Sequence, residues 1–260
     1  MGIVYITSYG KSQMPFICAL NKATNGGVAL VIFEKPRPRK LAGRLRRVAA
    51  AARSGKLLRE LWYGMLLRLN PRTSALLDYF REQPAPDAVV DEPASLEVDD
   101  LNGEEVRAAL EKISPTLLMT YGCSILKPHI LETATCAINL HRGISPYYRG
   151  AIANEYAVLR RDKRIGNTIH FITNDVDRGG IIAQIQADTS KRPREMFRDL
   201  HAATQSEFIA IAKKILAGED IPVQPQSGEK GEFFSLNQWT NEARYRVISQ
   251  IARWESTGKF

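Results

Sequence analysis

The sequence predicts an α/β domain built on a largely parallel sheet. Short apolar or β-branched runs alternate along the chain with segments that suit amphipathic helices. The 260 residues, of which 44% are apolar, are enough for one sizeable core with a small appended part. Ligands of such sheets bind beyond the carboxyl ends of the strands, so the residues that follow each apolar run are the first candidates for function.

Four apolar runs are predicted to be strands, at residues 3–8, 28–33, 115–122 and 136–140. Helices are predicted between them at 11–23 and 101–113. Residues 167–186 hold two further strand-like runs, separated by the polar, glycine-rich turn NDVDRGG. A long helix is expected over 192–219. The remainder of the chain is predicted to be a short irregular piece followed by one more helix.

The connector at 83–100 is rich in proline and acids and has room for one short strand. No apolar run reaches the roughly 20 residues of a membrane helix, and the first residues lack the pattern of a signal peptide. We therefore expect a cytoplasmic protein. The three cysteines have no metal-ligand spacing and are expected to be reduced core thiols.

The net charge of +8 comes from one segment. Between Lys35 and Arg72, 12 basic residues stand against one acid, Glu60, whereas acids outnumber bases in the rest of the chain. Two cationic amphipathic helices are predicted there, broken near residues 54–55. Their apolar residues at near-helical spacing are Leu41, Leu45 and Val48, then Leu57, Leu58, Leu61, Met65 and Leu69.

The basic segment has several interpretations. A solvated helical face is the plain one, and a polyanionic ligand, a nucleic acid or an anionic membrane surface are the functional ones. We favour a place beside the binding pocket or simple packing over the membrane, because the segment also carries enough leucine, methionine and aromatic side chains to cover an edge of the sheet.

Asn139 and His141 lie two residues apart at the end of an apolar run. In a strand, such residues point to the same side. An amide that donates hydrogen bonds beside an imidazole that titrates near neutrality can stabilise an oxyanion while a proton moves. Alternatively, the asparagine caps a turn and the histidine packs against it.

The order of motifs decides between these readings. Asn139-x-His141 is followed by SPYYRG at 145–150, then by His170 on a strand and by Asp177 in the DVDRGG turn, and TLLMTYGCSILKPHIL at 116–131 precedes them. This layout resembles the folate-dependent N-formyltransferases and covers most of the first 200 residues.

The resemblance implies a Rossmann-like formyltransferase core with a mostly parallel sheet. The catalytic domain is expected at 1–218, with a basic helical insertion at about 36–85. A short C-terminal α+β extension is expected at 219–260. The sequence departs from the family at Gly143, where serine is common, which puts the role of that hydroxyl in doubt, and at the turn SYGKSQ after the first strand.

The resemblance also implies an activity, namely formyl transfer from 10-formyltetrahydrofolate to an amine, without a metal. Asn139 would donate to the oxyanion. His141 would accept a proton from the amine or, as imidazolium, share the oxyanion. Asp177 would orient His141 and relay protons through water. His170 would support the Asp177 loop, a core histidine being the alternative.

Two sets of binding residues follow from the resemblance. The pterin is expected in a pocket made largely of backbone groups from 121–126 and 173–177. The folate-binding residues would be Tyr121, Gly122, Cys123, Ser124, Leu126, Thr173, Asn174 and Asp175. The acceptor-binding residues would be Tyr9, Gly10, Lys11, Tyr147, Tyr148, Arg149 and Gly150.

The acceptor is inferred from size. Only 34 residues follow Gln226, fewer than the tRNA-gripping domain of methionyl-tRNA formyltransferases needs, whereas glycinamide ribonucleotide formyltransferases lack the insertion and the tail. The favoured acceptor is a nucleotide-linked amino sugar such as GDP-perosamine, destined for surface polysaccharide or O-antigen. A homodimer is expected, and nucleic acid is not. The alternatives are formylation of methionyl-tRNA or glycinamide ribonucleotide, or a non-catalytic protein that binds anionic surfaces.

The aromatic residues of the tail have two interpretations. They could stack on a nucleotide base or serve dimer packing, and packing is favoured. They are Phe233, Phe234, Trp239, Tyr245 and Trp254.

Overall fold

The computed structural model describes residues 2–36, 52–53, 55–70, 73–80, 91–226, 228 and 231–260. Its main sheet has seven strands in the order β3-β2-β1-β4-β5-β7-β8. The strands are β1 (Ile3–Thr7), β2 (Val28–Glu34), β3 (Ser95–Val98), β4 (Leu117–Tyr121), β5 (Cys136–His141), β7 (Gly166–Phe171) and β8 (Ile181–Gln186). The first five in the spatial order are parallel, and β7 and β8 are antiparallel to their neighbours. The predicted α/β fold class is confirmed.

A second, two-stranded sheet joins β6 (Tyr148–Gly150) and β9 (Glu232–Phe234) in parallel. The described helices are α1 (Met14–Ala23), α2 (Leu57–Leu69), α3 (Thr73–Asp78), α4 (Glu104–Ile113), α5 (Pro128–Leu131), α6 (Ala153–Arg160), α7 (Pro193–Leu216) and α8 (Asn241–Thr257). None of them is both long and apolar enough to cross a membrane.

Two predicted helices begin later in the structure than in the prediction. Residues 10–13 form a short 3-10 helix, and α1 begins beside Pro15, whose fixed φ suits the first turn. The helix expected from residue 101 begins at Glu104, because the Asn102 N–H bonds the Asp100 side chain in a turn before it. Local hydrogen bonds of this kind delay the start of a helix although the apolar spacing of the sequence is already helical.

Apolar residues fill both faces of the main sheet. One face packs against α1 and α7, with Tyr5, Phe16 and Phe208 fully or almost fully buried. The other face packs against α4 and α5. A third cluster joins the described part of the insertion to the C-terminal extension, and α8 contributes Trp254 to its centre.

The tail aromatics have several environments. Phe234 and Trp254 are buried in the third cluster, whereas Phe233 is half exposed on β9. Trp239 and Tyr245 are partly buried against the same cluster. Packing within the chain therefore accounts for most of these side chains without a second copy.

The insertion departs from the expectation that its apolar side chains cover the sheet. The first predicted helix, with Leu41, Leu45 and Val48, lies outside the described residues. The second is α2, and it packs on α8. However, most of the side chains chosen by periodicity point to solvent: Leu58, Leu61, Met65 and Leu69 are exposed, as is Trp62. The prediction that these residues cover a sheet edge is wrong. Periodicity shows which residues share one face of a helix, but not whether that face points to the core or to solvent.

Candidate active site

Strand register brings three polar side chains together in the sheet. Thr120 on β4 lies opposite Asn139 on β5, and Asn139 lies opposite His170 on β7. The Thr120 hydroxyl donates to Asn139 Oδ1 at 2.8 Å, and Asn139 Nδ2 contacts His170 Nε2 at 3.1 Å. The amide is thus fixed with its nitrogen, the donor end, directed towards His170. Sequence reasoning missed Thr120, although a polar residue near the carboxyl end of an apolar strand was the available signal.

His170 is buried and its hydrogen bonds indicate a tautomer. Its Nδ1 lies 2.8 Å from the carbonyl of Phe171, to which it donates, which leaves Nε2 to accept from the Asn139 amide. His170 therefore orients the Asn139 amide in addition to contacting the Asp177 turn.

Asp177 lies between the two histidines. The backbone of Asp177 adopts a left-handed conformation, with φ of 54°, and its carboxylate is buried. The Oδ2 atom lies 3.5 Å from His141 Nδ1 and accepts from the Gly150 N–H at 2.8 Å, and Oδ1 lies 3.6 Å from His170 Nε2. Burial alone would raise the pKa of the Asp177 carboxyl, but His141, His170 and the Gly150 N–H together lower the pKa below its usual range. The carboxylate is therefore ionised at neutral pH.

His141 has an oxygen acceptor at each ring nitrogen. Nε2 lies 2.8 Å from the Tyr148 carbonyl, opposite the Asp177 contact at Nδ1. Burial lowers the pKa of the His141 imidazole, whereas Asp177 and the Tyr148 carbonyl act against that shift. The ring is thus neutral at pH 7, and both of its N–H groups would be hydrogen bonded after it gained a proton.

Gly143 permits this position of His141. A Cβ atom at residue 143 would lie 2.6 Å from His141 Nε2 and 2.8 Å from the Tyr148 carbonyl oxygen. Any side chain there would displace one of the two partners. The glycine at 143 is therefore coupled to the observed His141–Tyr148 contact.

The 147–150 segment holds the Asp177 turn. Arg149 donates to the Val176 carbonyl at 2.8 and 3.2 Å, next to the Gly150 bond to Asp177. The Tyr148 side chain is buried, and its hydroxyl donates to Asp162 at 2.7 Å. Of the four residues of this segment, only Tyr147 is exposed, and the Arg164 guanidinium lies 4.4 Å from its ring centroid.

The C-terminal extension also contacts this turn, which sequence reasoning missed. Gln226 Nε2 donates to the carbonyls of Asp177, at 3.0 Å, and Gly179, at 2.7 Å. Further along the same extension, β9 pairs with β6, and the Phe234 carbonyl accepts from the Ala151 N–H. No local pattern could have revealed a contact across 49 residues.

The loop after β4 is fixed at both of its sides. Ser8 Oγ donates to the Gly122 carbonyl, and Glu34 accepts from Ser124 through its N–H at 2.8 Å and its Oγ at 2.5 Å. Gly122 has φ of 60°, and a Cβ there would overlap the Tyr9 ring. The loop is therefore a rigid run of backbone.

The chemistry of this loop suits a flat heterocycle. Ile125 is 68% exposed, whereas Leu126 and the Tyr121 side chain at the end of β4 are buried. Backbone polar groups beside apolar side chains are the features that a pterin needs. Burial, with the nearby Glu34 carboxylate, raises the pKa of the Cys123 thiol to about 12, so the thiol stays protonated.

The remaining predicted binding residues lie on two loops. Thr173, Asn174 and Asp175 are exposed on the turn that leads into Asp177. Tyr9 packs on Tyr121 with 4.9 Å between ring centroids, and Arg142, which follows His141, lies 5.9 Å from the Tyr9 ring. These contacts bring Tyr9 and the start of the 3-10 helix at Gly10 to the β4 loop, and Lys11 is exposed. In the described residues, no group of three or more His, Cys, Asp or Glu is arranged to hold a metal ion.

A family model described as "Formyl transferase" matches residues 2–207. Among curated proteins, a methionyl-tRNA formyltransferase from Finegoldia magna is 32% identical over 180 residues, or 66% of this chain and 53% of that protein. Matches to three other methionyl-tRNA formyltransferases cover 39% to 50% of those proteins. The chain thus spans about half the length of the curated relatives it matches.

Solved structures share the fold at low identity. A sugar N-formyltransferase from a Shewanella species has a TM-score of 0.57 and 14% identity, over 96% of this chain and 88% of that one. A phosphoribosylglycinamide formyltransferase from Bacillus halodurans has a TM-score of 0.54 and 18% identity, over 84% of this chain and 96% of that one. At these identities the likeness concerns the fold alone.

Proposed function

Because the chain belongs to the formyl transferase family, we propose that it transfers a formyl group from 10-formyltetrahydrofolate to an amine. The observation that carries the proposal is the group formed by Asn139 with the buried His141 and Asp177, linked through His170. It brings together a fixed amide donor, a neutral imidazole and an ionised carboxylate. These are the three functions that direct acyl transfer requires.

Asn139 supplies the oxyanion donor. Because its Oδ1 is engaged by Thr120, the amide cannot turn its acceptor end towards the reaction. An amide nitrogen carries two N–H bonds, so Asn139 can donate to His170 and to the formyl oxygen at the same time. The negative charge that develops on that oxygen then meets a donor that needs no reorganisation.

His141 takes the proton that the attacking amine loses, and it can return a proton to the folate nitrogen when the bond between that nitrogen and the formyl carbon breaks. The buried ring is neutral before the reaction, and after protonation the Asp177 carboxylate stabilises the imidazolium from Nδ1. We assign Asp177 the role of orienting His141, and His170 the role of orienting the Asn139 amide.

The donor site is proposed on the β4 loop, residues 121–126, with the exposed turn at 173–175 completing it. The folate donor supplies the formyl group when bound. The residues of the loop present backbone N–H and C=O groups to the pterin, and the Glu34 and Ser8 clamps keep those groups in place.

The acceptor is proposed to be a nucleotide-linked amino sugar. Two half-exposed aromatic rings, Tyr147 and Phe233, each lie beside an arginine, with Arg164 at 4.4 Å and Arg149 at 5.9 Å from the respective centroids. An aromatic face next to a guanidinium suits a base and its phosphates. The sugar N-formyltransferase fold also extends over 96% of this chain, including the C-terminal extension.

The test is a formyl-transfer assay with 10-formyltetrahydrofolate and a panel of nucleotide-linked 3-amino and 4-amino sugars. Glycinamide ribonucleotide and methionyl-tRNA are assayed in parallel. We expect turnover with at least one amino sugar and at most traces with the other two acceptors. Turnover confined to the tRNA or the ribonucleotide would reject the sugar acceptor, and no turnover with any of them would reject the activity.

A further inference from the structure

Helix α2 exposes one continuous apolar stripe. Its members are Leu58 (82% exposed), Leu61 (61%), Trp62 (56%), Met65 (43%) and Leu69 (70%). At about 100° per residue, these positions fall within an arc of roughly 100° along the whole helix. Single exposed leucines are common on protein surfaces, but five large apolar side chains on one face of a 13-residue helix mark an interaction surface.

The opposite face of α2 is already occupied by α8. Asn241 bonds Glu60 twice, from its backbone N–H at 2.9 Å and from its side chain at 3.1 Å. Tyr63 packs on Tyr245 with 5.2 Å between ring centroids, and Leu67 is buried. The helix is therefore held firmly in one orientation, with the stripe turned away from the core of its own chain.

Basic residues lie at both edges of the stripe. On the helical projection, Arg59 lies about 100° to one side of Leu58 and Arg68 about 80° to the other. Arg59 pairs with Glu242 at 3.0 Å, yet its side chain is still half exposed. In sequence, the stripe lies within the Lys35–Arg72 segment, which has 12 basic residues and one acidic residue.

We propose that the apolar stripe of α2 docks on an anionic membrane surface. Large apolar side chains with basic residues at their edges are the pattern of helices that lie in the plane of the headgroups. At 13 residues, or about 20 Å, α2 is too short to span the bilayer, so it lies along the surface. Each basic residue near such a surface adds attraction to anionic lipid.

A second copy of the chain fits this surface less well. A two-fold contact places the same patch on both sides, so Arg59 and Arg68 at the edges of the stripe in one copy would approach the same residues of the other. Like charges brought together in this way oppose association, whereas anionic lipid neutralises them. The basic residues at the edges of the stripe therefore favour an anionic membrane as the occupant.

The test measures vesicle binding by the full chain, and it does not depend on the proposed activity. Sedimentation is compared between vesicles of phosphatidylcholine alone and vesicles with about one third phosphatidylglycerol. We expect binding to the anionic vesicles that weakens at high salt. The triple variant Leu58→Gln, Trp62→Gln, Leu69→Gln keeps every charge and should lose at least tenfold in binding.

The matched control is Val223→Gln, which replaces an exposed apolar residue (46%) next to the bridge between Ile181 and Gln224 and should bind as the parent does. Unfolding temperatures should be unchanged in both variants, because the substituted side chains are exposed. Unaltered vesicle binding by the triple variant would overturn the proposal. The proposal would also be overturned if the parent were a dimer that does not bind vesicles and the triple variant were a monomer. A markedly lower unfolding temperature of the triple variant would overturn it as well.

Discussion

The side chain of Gln226 donates to the backbone carbonyl of Asp177 at 3.0 Å. A residue of the C-terminal extension thereby holds the turn that carries the candidate carboxylate. The same amide nitrogen lies 2.7 Å from the Gly179 carbonyl, so one side chain links both ends of the DRG segment.

Replacing Gln226 with methionine should lower turnover about tenfold, with a smaller effect on the Michaelis constant of the folate donor. Methionine has a similar volume but no N–H donors, so the two carbonyls lose their partner while packing is kept. The control is Gln250→Met, because Gln250 makes the same kind of bond, to the Leu159 carbonyl, away from the site. Equal kinetic effects of Gln226→Met and Gln250→Met would show that Gln226 contributes to stability and does not position the Asp177 turn.

The variants His141→Ala and Asn139→Ala should each lower turnover by roughly 10²-fold or more. The first removes the group that takes the proton, and the second removes the oxyanion donor. His129→Ala is the control, since that half-buried ring bonds only a loop carbonyl among the described residues. Near-normal turnover of either site variant on the true acceptor would reject the assignment.

Changing Asp177 to asparagine should shift the pH dependence of turnover and also lower the maximal turnover. The neutral His141 ring is the active form, so activity falls as pH drops through the pKa of that ring. Burial lowers this pKa and the Asp177 charge raises it, so removing the charge lowers it further.

The acid limb of kcat/KM in the Asp177→Asn variant should therefore lie at lower pH than in the parent, by on the order of one unit, while the maximum falls. Folate affinity should stay within about tenfold, because the isosteric amide keeps the shape of the turn. An acid limb that stays in place would show that Asp177 does not act through His141.

A methyl group at residue 143 should disturb His141 without touching any other predicted catalytic residue. Gly143→Ala places a Cβ 2.6 Å from His141 Nε2 and 2.6 Å from the Ala153 Cβ. We expect turnover to fall at least tenfold and stability to fall by about 1–3 kcal/mol. In Gly103→Ala, the nearest atom to the new Cβ is at 3.3 Å, so that variant should be nearly normal. Wild-type kinetics in Gly143→Ala would mean that the His141 ring is free to move.

Part of this site follows from local rules of the sequence. The two-residue period of a strand places Asn139 and His141 on one side, and a polar, glycine-rich turn after a strand indicates where Asp177 lies. These rules act over a few residues, so they can be read along one chain. The contact partners of those residues do not follow from such rules, because Thr120 contacts Asn139 only as a result of strand order and register.

The parts that could not be predicted depend on long-range packing. The pattern of the PYYRG motif could not show that Arg149 is directed to Val176, because that depends on how the turn folds back. Likewise, periodicity found the apolar stripe of α2 but not its direction. That direction is set by contacts with α8, some 180 residues away. The centre of the sheet, in contrast, was predictable because β1, β2 and β4 are nearly continuous apolar runs.

The pairing of β6 with β9 sets an order of events during synthesis. Residues 148–150 leave the ribosome long before 232–234, so a nascent chain can complete the seven-stranded sheet while the Asp177 turn still lacks two of its supports. The reaction centre is therefore among the last regions to mature. A truncated message, or cleavage by a protease, within the connection between α7 and β9 would leave a folded sheet whose Asp177 turn lacks these supports.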